Sequence, residues 1–145
     1  MKPALLLLLL LSVLFVACKK QTATAYIATD PVTSLLENAS VASSGKFSFT
    51  DERYDEGLAK IYLRKDGVYV LGLEQMNYQT AFSDTNIYLS ATPELSTSSI
   101  KVFSAKKLHG NIYNPLTSIN SIKQFKYLII QADTDSQPVA TAQLQ

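Results

Sequence analysis

The sequence lacks most of the residues that build metal and cofactor sites. Its 145 residues include one cysteine, Cys18, one histidine, His109, five glycines and no tryptophan. A single cysteine excludes an internal disulfide. One histidine and one cysteine are too few for zinc, haem or copper ligand sets, and the scattered glycines form no phosphate-binding loop. We therefore expect no cofactor and no metal site.

Residues for catalysis are equally scarce. A nucleophile needs a base within reach, and His109, beside Gly110, is interpreted as a solvated turn residue. Residues 51–56 contain four carboxylates, which are possible Ca²⁺ ligands. They lack EF-hand spacing and include Arg53, so a solvated acidic loop is favoured. We predict that the protein is not an enzyme.

Net charge gives no reason to expect a nucleic-acid partner. The chain has 13 basic and 12 acidic residues, and a nucleic-acid-binding domain usually shows a basic excess.

The first 17 residues have the pattern of an export signal. Lys2 is their one charged residue, and residues 4–17 are apolar apart from Ser12. A helix that spans a membrane needs about 20 apolar residues, and this run is shorter. A positive residue followed by a short apolar run is typical of a secretory signal, so we predict that residues 1–17 are removed.

The end of this run resembles a bacterial lipobox. Phe15, Val16 and Ala17 precede Cys18; Phe15 stands where most lipoboxes have leucine. The resemblance implies that Cys18 carries lipid, including palmitate, and anchors the chain to a membrane. An ordinary signal peptide with an incidental cysteine is the alternative. An aspartate directly after the lipidated cysteine retains lipoproteins in the inner membrane, and this chain has Lys19 at that position. We therefore expect the anchor to lie in the outer membrane of the cell envelope, on its periplasmic or surface face.

Residues 18–44 predict a lipidated tether, because they are rich in threonine, alanine and serine with little periodicity. Asp30 and Pro31 suit a helix start, so we expect a short helix there or no regular structure. The globular domain is predicted over residues 45–145.

From residue 45 onward, apolar and polar residues alternate in short segments. Asp66-Gly67 predicts a tight hairpin in which both residues take positive φ, and His109-Gly110 predicts another turn. Seven or eight strands at close spacing indicate a single all-β antiparallel sandwich or barrel. The predicted strands span residues 46–50, 58–64, 68–74, 86–90, 100–108, 125–131 and 139–144.

Three residues are candidates for a binding or structural role: Asp84, Tyr88 and Tyr113. Asp84 precedes a predicted strand, where a carboxylate can bond turn amides. Tyrosine buries its ring while its hydroxyl reaches water or a partner. With 8 tyrosines in the chain, ordinary sheet surface is the main interpretation and an aromatic binding patch is the alternative.

The order of several short motifs resembles the DM13 domain, a small extracellular β module. The resemblance covers most of the predicted domain and implies an all-β fold. The matching segments are residues 45–47, 56–61, 67–74, 84–90, 108–115, 125–130 and 142–144.

One departure from the family bears on function. The late strand of DM13 domains commonly ends in Trp-Cys, and that cysteine prompted the proposal that they transfer electrons. The matching residues here are Gln131 and Ala132, so the thiol is absent. The expected function is an envelope lipoprotein whose β domain binds a protein, a glycan or a small molecule. The alternative, a redox module, is disfavoured by Ala132.

Overall fold

The computed structural model describes residues 34–79 and 84–145, and in them the fold is all-β. Eight antiparallel strands form one nearly closed, barrel-shaped sheet in the order β5-β4-β7-β8-β1-β2-β3-β6. This confirms the predicted fold class. The strands are β1 (Ser40–Phe49), β2 (Leu58–Leu63), β3 (Tyr69–Gln79), β4 (Thr85–Ser90), β5 (Ile100–Ala105), β6 (Lys107–Pro115), β7 (Tyr127–Ala132) and β8 (Ala140–Gln143).

Alternation along β2 shows which of its side chains point into the core. In β2, Ala59 and Ile61 are fully buried inside the barrel, while Lys60 and Tyr62 lie on its outer face and are half-buried. Across β4 and β7 the inward residues meet in register, as where Ile87 lies opposite Ile130. This period of two is what a sheet with one face on the core requires.

Strand β1 is shared by the two halves of the barrel. Its first part pairs with β2, from Ser40 to Lys46, and its last three residues pair with β8. At the change of partner, a Cβ on Gly45 would lie 2.1 Å from the carbonyl oxygen of Gln143. Glycine is therefore required here, because the two backbones approach too closely for any side chain.

The β2–β3 hairpin is confirmed, but its turn differs from the one expected. The loop has three residues, Lys65, Asp66 and Gly67, closed by a bond from Arg64 N to Val68 O of 3.0 Å. Gly67 takes φ of 83°, whereas Asp66 does not have positive φ. This is the three-residue hairpin in which a glycine in the left-handed region follows a type I turn.

Two expected boundaries are wrong. His109 and Gly110 do not form a turn; they lie inside β6, a strand that the sequence analysis did not separate from β5. The chain instead turns at Lys106, between β5 and β6. The first strand, β1, begins at Ser40, six residues before the strand that the pattern predicts from residue 46.

The segment before β1 is described only from Ser34. Ser34 and Leu35 have helical backbone geometry, whereas the candidate helix start at Asp30 and Pro31 lies outside the described residues. No helix in the described ranges combines the length and hydropathy needed to cross a bilayer.

Candidate binding site on the outer face of the barrel

A polar cluster occupies the outer face of β2, β3 and β6. The strand register sets Lys60 opposite Gly72 and Gly72 opposite Tyr113. Glu74 lies two residues beyond Gly72 on the same face of β3, opposite Leu58. The cluster therefore combines residues that are far apart in sequence and adjacent only because three antiparallel strands pair. We call Lys60, Tyr62, Glu74 and Tyr113 the Glu74 cluster.

Glu74 accepts hydrogen bonds from all three other members of the cluster. Lys60 Nζ donates to Oε2 at 2.6 Å, forming an ion pair. The hydroxyl of Tyr113 donates to Oε1 at 3.0 Å, and the hydroxyl of Tyr62 donates to the same oxygen. Bonds to an ionised acceptor are roughly twice as strong as neutral ones, so the carboxylate holds three strands together at one point.

The environment of Glu74 keeps it ionised. The residue is only 9% exposed, and burial alone raises the pKa of a carboxyl group. Hydrogen bonds from Lys60, Tyr62 and Tyr113 outweigh that burial, and the net effect lowers the pKa of Glu74 below its usual value. The side chain is thus a carboxylate at neutral pH, with its charge balanced by Lys60.

The two tyrosines of the cluster are held in the phenol form. Burial is the largest cause and the hydrogen bond to Glu74 the second; together they raise the pKa of Tyr113 to about 12 and that of Tyr62 still further. Both hydroxyls therefore remain hydrogen-bond donors across the physiological pH range.

Gly72 makes the close approach of these tyrosines possible. A Cβ at this position would lie 3.0 Å from ring atoms of both Tyr62 and Tyr113. The two rings pack across the glycine with centroids 6.2 Å apart and planes tilted by 56°, and their hydroxyls meet at Glu74.

Glu74 is itself part of a β-bulge in β3. Leu73 pairs with Ile112 and Met76 with Gly110, so Glu74 and Gln75 together oppose Asn111 alone. Gln75 takes φ of 54°, which is uncommon for a residue other than glycine, and its backbone N–H donates to Asn111 Oδ1 at 2.9 Å. Bulges re-aim neighbouring side chains and are frequent beside functional sites.

A groove of about 490 Å³ lies beside the cluster, at the corner where β1 changes partner. Lys60 belongs to both features, since it lines the groove and pairs with Glu74. None of the lining side chains is acidic. Gly45 forms part of the groove, and the remaining lining residues are Ser44, Lys46, Leu58, Lys60, Gln143 and Gln145.

The sequence-derived candidates fall in three different places. Tyr113 belongs to the Glu74 cluster. Tyr88 is half-buried on the outer face of β4, opposite Ile129. Asp84 is exposed, and its backbone carbonyl accepts a hydrogen bond from Asp133 N at 3.0 Å. The structure therefore does not gather them into one site.

Cys18 lies outside the described residues, so its predicted lipidation stays a prediction. His109 is exposed on β6, opposite Asn77. In the acidic loop, Arg53 is paired with Asp51 at 2.5 Å, and its hydrogen bonds lower the pKa of that carboxyl to about 2. No cluster of three or more potential metal ligands occurs within residues 34–79 and 84–145.

Ala132, the position of the family cysteine, faces the core. It lies opposite Thr85 across the β4–β7 pair, and both residues are buried. The Thr85 hydroxyl is buried without a hydrogen-bond partner among the described residues. The side chain of Ala132 is therefore shielded from solvent.

Sequence reasoning missed Lys60, Tyr62 and Glu74 as site residues. One signal was present in the sequence. Glu74 is the acidic last residue of the strand predicted over residues 68–74, and Lys60 and Tyr62 share a face of the strand predicted over residues 58–64. What it lacked was the register that sets β2, β3 and β6 side by side.

Comparison with protein-family models, with curated proteins and with solved structures gives no match. The resemblance to DM13 domains therefore stays a prediction.

Proposed function

We propose that this protein is a membrane-anchored envelope lipoprotein whose β domain binds a protein, a glycan or a small molecule on its outer face. The observation that carries the proposal is the Glu74 cluster beside the groove. Burying a carboxylate costs free energy unless it is paired and hydrogen-bonded. This one sits on the outside of the barrel, where packing of the core does not require it, and it fixes the position of a lysine that lines a groove.

The chemistry of the cluster favours binding over catalysis. A general base works best with a pKa near the operating pH, and the hydrogen bonds to Glu74 lower its pKa instead. Oε1 already accepts from two tyrosines and Oε2 from Lys60. The carboxylate is engaged in holding its neighbours, so the cluster is better suited to presenting a fixed polar surface than to moving protons.

The electron-transfer alternative gains no support from the late strand. Ala132 carries no thiol and faces the core, so a redox-active side chain is absent at that position.

The binding proposal is tested by a thermal-shift screen of the full chain against saccharides, amino acids and short peptides. A ligand that binds only the folded state raises the melting temperature. We expect at least one compound to stabilise the wild-type protein and to have no such effect on Lys60→Met. Stabilisation of equal size in Lys60→Met, or the absence of any stabilising compound, would refute binding at this face.

The anchor is tested separately. Mass spectrometry of the mature N-terminus should show acylated Cys18, and Cys18→Ala should leave the precursor uncut. An unmodified N-terminus formed by cleavage at another residue would show that the chain is exported without a lipid.

A further inference from the structure

We propose that the barrel rests on the membrane with the rim at which β1 begins, so that this rim contacts the lipid headgroups and the opposite rim faces away. The inference rests on the anchor in the proposed function and names the surface that the domain contacts. The rim at Ser40, which we call the tether end, is formed by residues 34–39, 64–68, 91–99, 116–126 and 144–145. The opposite rim, which we call the far end, is formed in the described part of the chain by residues 50–57, 84, 106 and 133–139.

The anchor alone leaves the orientation of the barrel open. Ser40 begins β1 at the tether end, so the chain from the proposed anchor at Cys18 enters the barrel there. That chain can extend to at most about 75 Å, whereas β3, the longest strand, spans only about 36 Å. Either rim can therefore reach the bilayer, and the contacts of the rims decide which one faces the lipid.

Two exposed apolar side chains mark the tether end. Among the described residues, Val41 and Ile100 are the large hydrophobic side chains that are exposed, at 53% and 40%. Val41 is the second residue of β1 and Ile100 the first of β5, so both lie at this rim. Three strands separate β1 from β5 in either direction around the sheet. A flat surface can therefore cover both side chains at once only if it covers the rim.

The surface around Ile100 extends this apolar area. A cavity of about 130 Å³ lies between the start of β5 and the end of β6, the two edge strands of the sheet, and its apolar lining includes Ile100, Val102, Pro115 and Ile119. Lys101 lines it too, and a lysine beside an apolar patch can keep its charge among headgroups while its stem lies against lipid. Helices that lie in the membrane interface combine apolar side chains with flanking lysines in the same way.

Charge distinguishes the two rims in the same sense. The far end carries seven carboxylates and only two basic side chains among its described residues. The tether end has four basic side chains against three carboxylates, and with the carboxylate of Gln145 counted it is neutral. A membrane that contains anionic lipids has a negative surface potential, which acts within about a Debye length. The far end is therefore repelled from the membrane, and the tether end is not.

The Glu74 cluster stays accessible in this orientation. Glu74 is the sixth of the eleven residues of β3, midway between the two rims. A ligand can therefore reach the cluster from the side of the barrel while the tether end is covered by lipid.

The test uses the full-length, acylated protein in vesicles of phosphatidylethanolamine and phosphatidylglycerol. Since Cys18 is the only cysteine of the chain and is acylated under the proposed function, an introduced cysteine supplies the only free thiol for a nitroxide spin label. Thr97→Cys places the label on an exposed residue of the tether end, three residues before Ile100. Glu52→Cys, at an exposed residue of the far end, is the matched control. Paramagnetic resonance measures how often each label collides with a water-soluble nickel complex.

We expect the nickel collision rate to be several-fold lower at position 97 than at position 52, because lipid headgroups shield the tether end. Replacing both exposed apolar residues, by Val41→Ser and Ile100→Ser together, should bring the rate at position 97 up to that at position 52. The exposed part of one such side chain contributes about tenfold to the equilibrium constant for contact with an apolar layer. Equal rates at the two positions in the otherwise unchanged protein, or a lower rate at position 52, would overturn the inference whether or not the double variant folds. Shielding of position 97 that survives in the folded double variant would also overturn it.

The number of labels on each chain separates this inference from the proposed anchor. One label on each chain shows that Cys18 is acylated, and equal collision rates would then overturn the orientation while the anchor stands. Two labels on each chain would show that Cys18 is a free thiol, which would overturn the anchor and the orientation together.

Discussion

Replacing Glu74 by glutamine isolates the contribution of its charge. The amide has nearly the same shape, and its oxygen can still accept from Tyr62 and Tyr113. The ion pair with Lys60, which is 2.6 Å long in the wild type, is lost. Hydrogen bonds to a charged group contribute about 1.5–3 kcal/mol and neutral ones about 0.5–1.5. The substitution weakens two hydrogen bonds and removes one partly exposed ion pair. We therefore expect the folded domain to be destabilised by about 2 kcal/mol.

Urea denaturation at pH 7 measures this loss directly, and a melting-temperature fall of roughly 8 °C should accompany it. Glu94→Gln is the matched control, because Glu94 is exposed in the loop after β4 and its carboxylate is outside the cluster. We expect the control to stay within about 0.5 kcal/mol of the wild type.

The pH dependence gives the sharper test. The folded-state pKa of Glu74 is lowered, so its stabilisation is fully present above the unfolded pKa of about 4.3 and is lost as pH falls through the folded pKa. The stability gap between the wild type and Glu74→Gln should therefore be constant from pH 6 to 7 and shrink below about pH 4. A gap that persists undiminished at low pH, or one below about 0.5 kcal/mol at pH 7, would refute the reasoning.

Three further predictions concern other positions. Gly45→Ala should destabilise the domain by about 2 kcal/mol or more in denaturant titration, because its Cβ would overlap the backbone of Gln143; wild-type stability would contradict the close approach. Gly67→Val should cost about 1–3 kcal/mol from backbone strain alone, since nothing lies within 4 Å of the added Cβ; Gly67→Asn, which tolerates positive φ, should recover most of the loss. Voltammetry of the lipidated protein should show no reversible wave, because Ala132 supplies no thiol and the thiol of Cys18 would be acylated; a reversible wave would support the electron-transfer alternative.

Local patterning was enough to predict most strands. In β2 the side chains alternate, and in β7 residues 127–130 form an apolar run. Neither pattern needs knowledge of the partner strand. Local patterning failed at β6 because Gly110 next to a polar histidine indicates a turn. In the structure that glycine takes φ of 73° within a strand, beside the bulge at Gln75. A bulge is a property of two paired strands, so one segment read alone does not reveal it.

The Glu74 cluster escaped prediction for the same reason. Lys60 and Glu74 are 14 residues apart, and Tyr113 is 39 residues beyond Glu74. Each residue alone has an ordinary surface role. Their meeting depends on the β2–β3 and β3–β6 registers, and a slip of one residue would send Glu74 to the opposite face of the sheet.

The partner change of β1 also decides how the domain would bear a mechanical load. A pull applied along the strand axis at Ser40 acts on the ladder between Ser40 and Lys46, because its backbone bonds to β2 lie across the direction of force; the ladder has one register shift, between Val41 and Ser43. Ser44 is bonded in addition to Gln145, through N–H···O bonds of 3.0 and 2.9 Å. Such bonds must shear together instead of opening one after another. Extraction by force is governed by the unfolding rate, so this geometry should make the barrel slow to rupture when it is pulled from the side on which β1 begins.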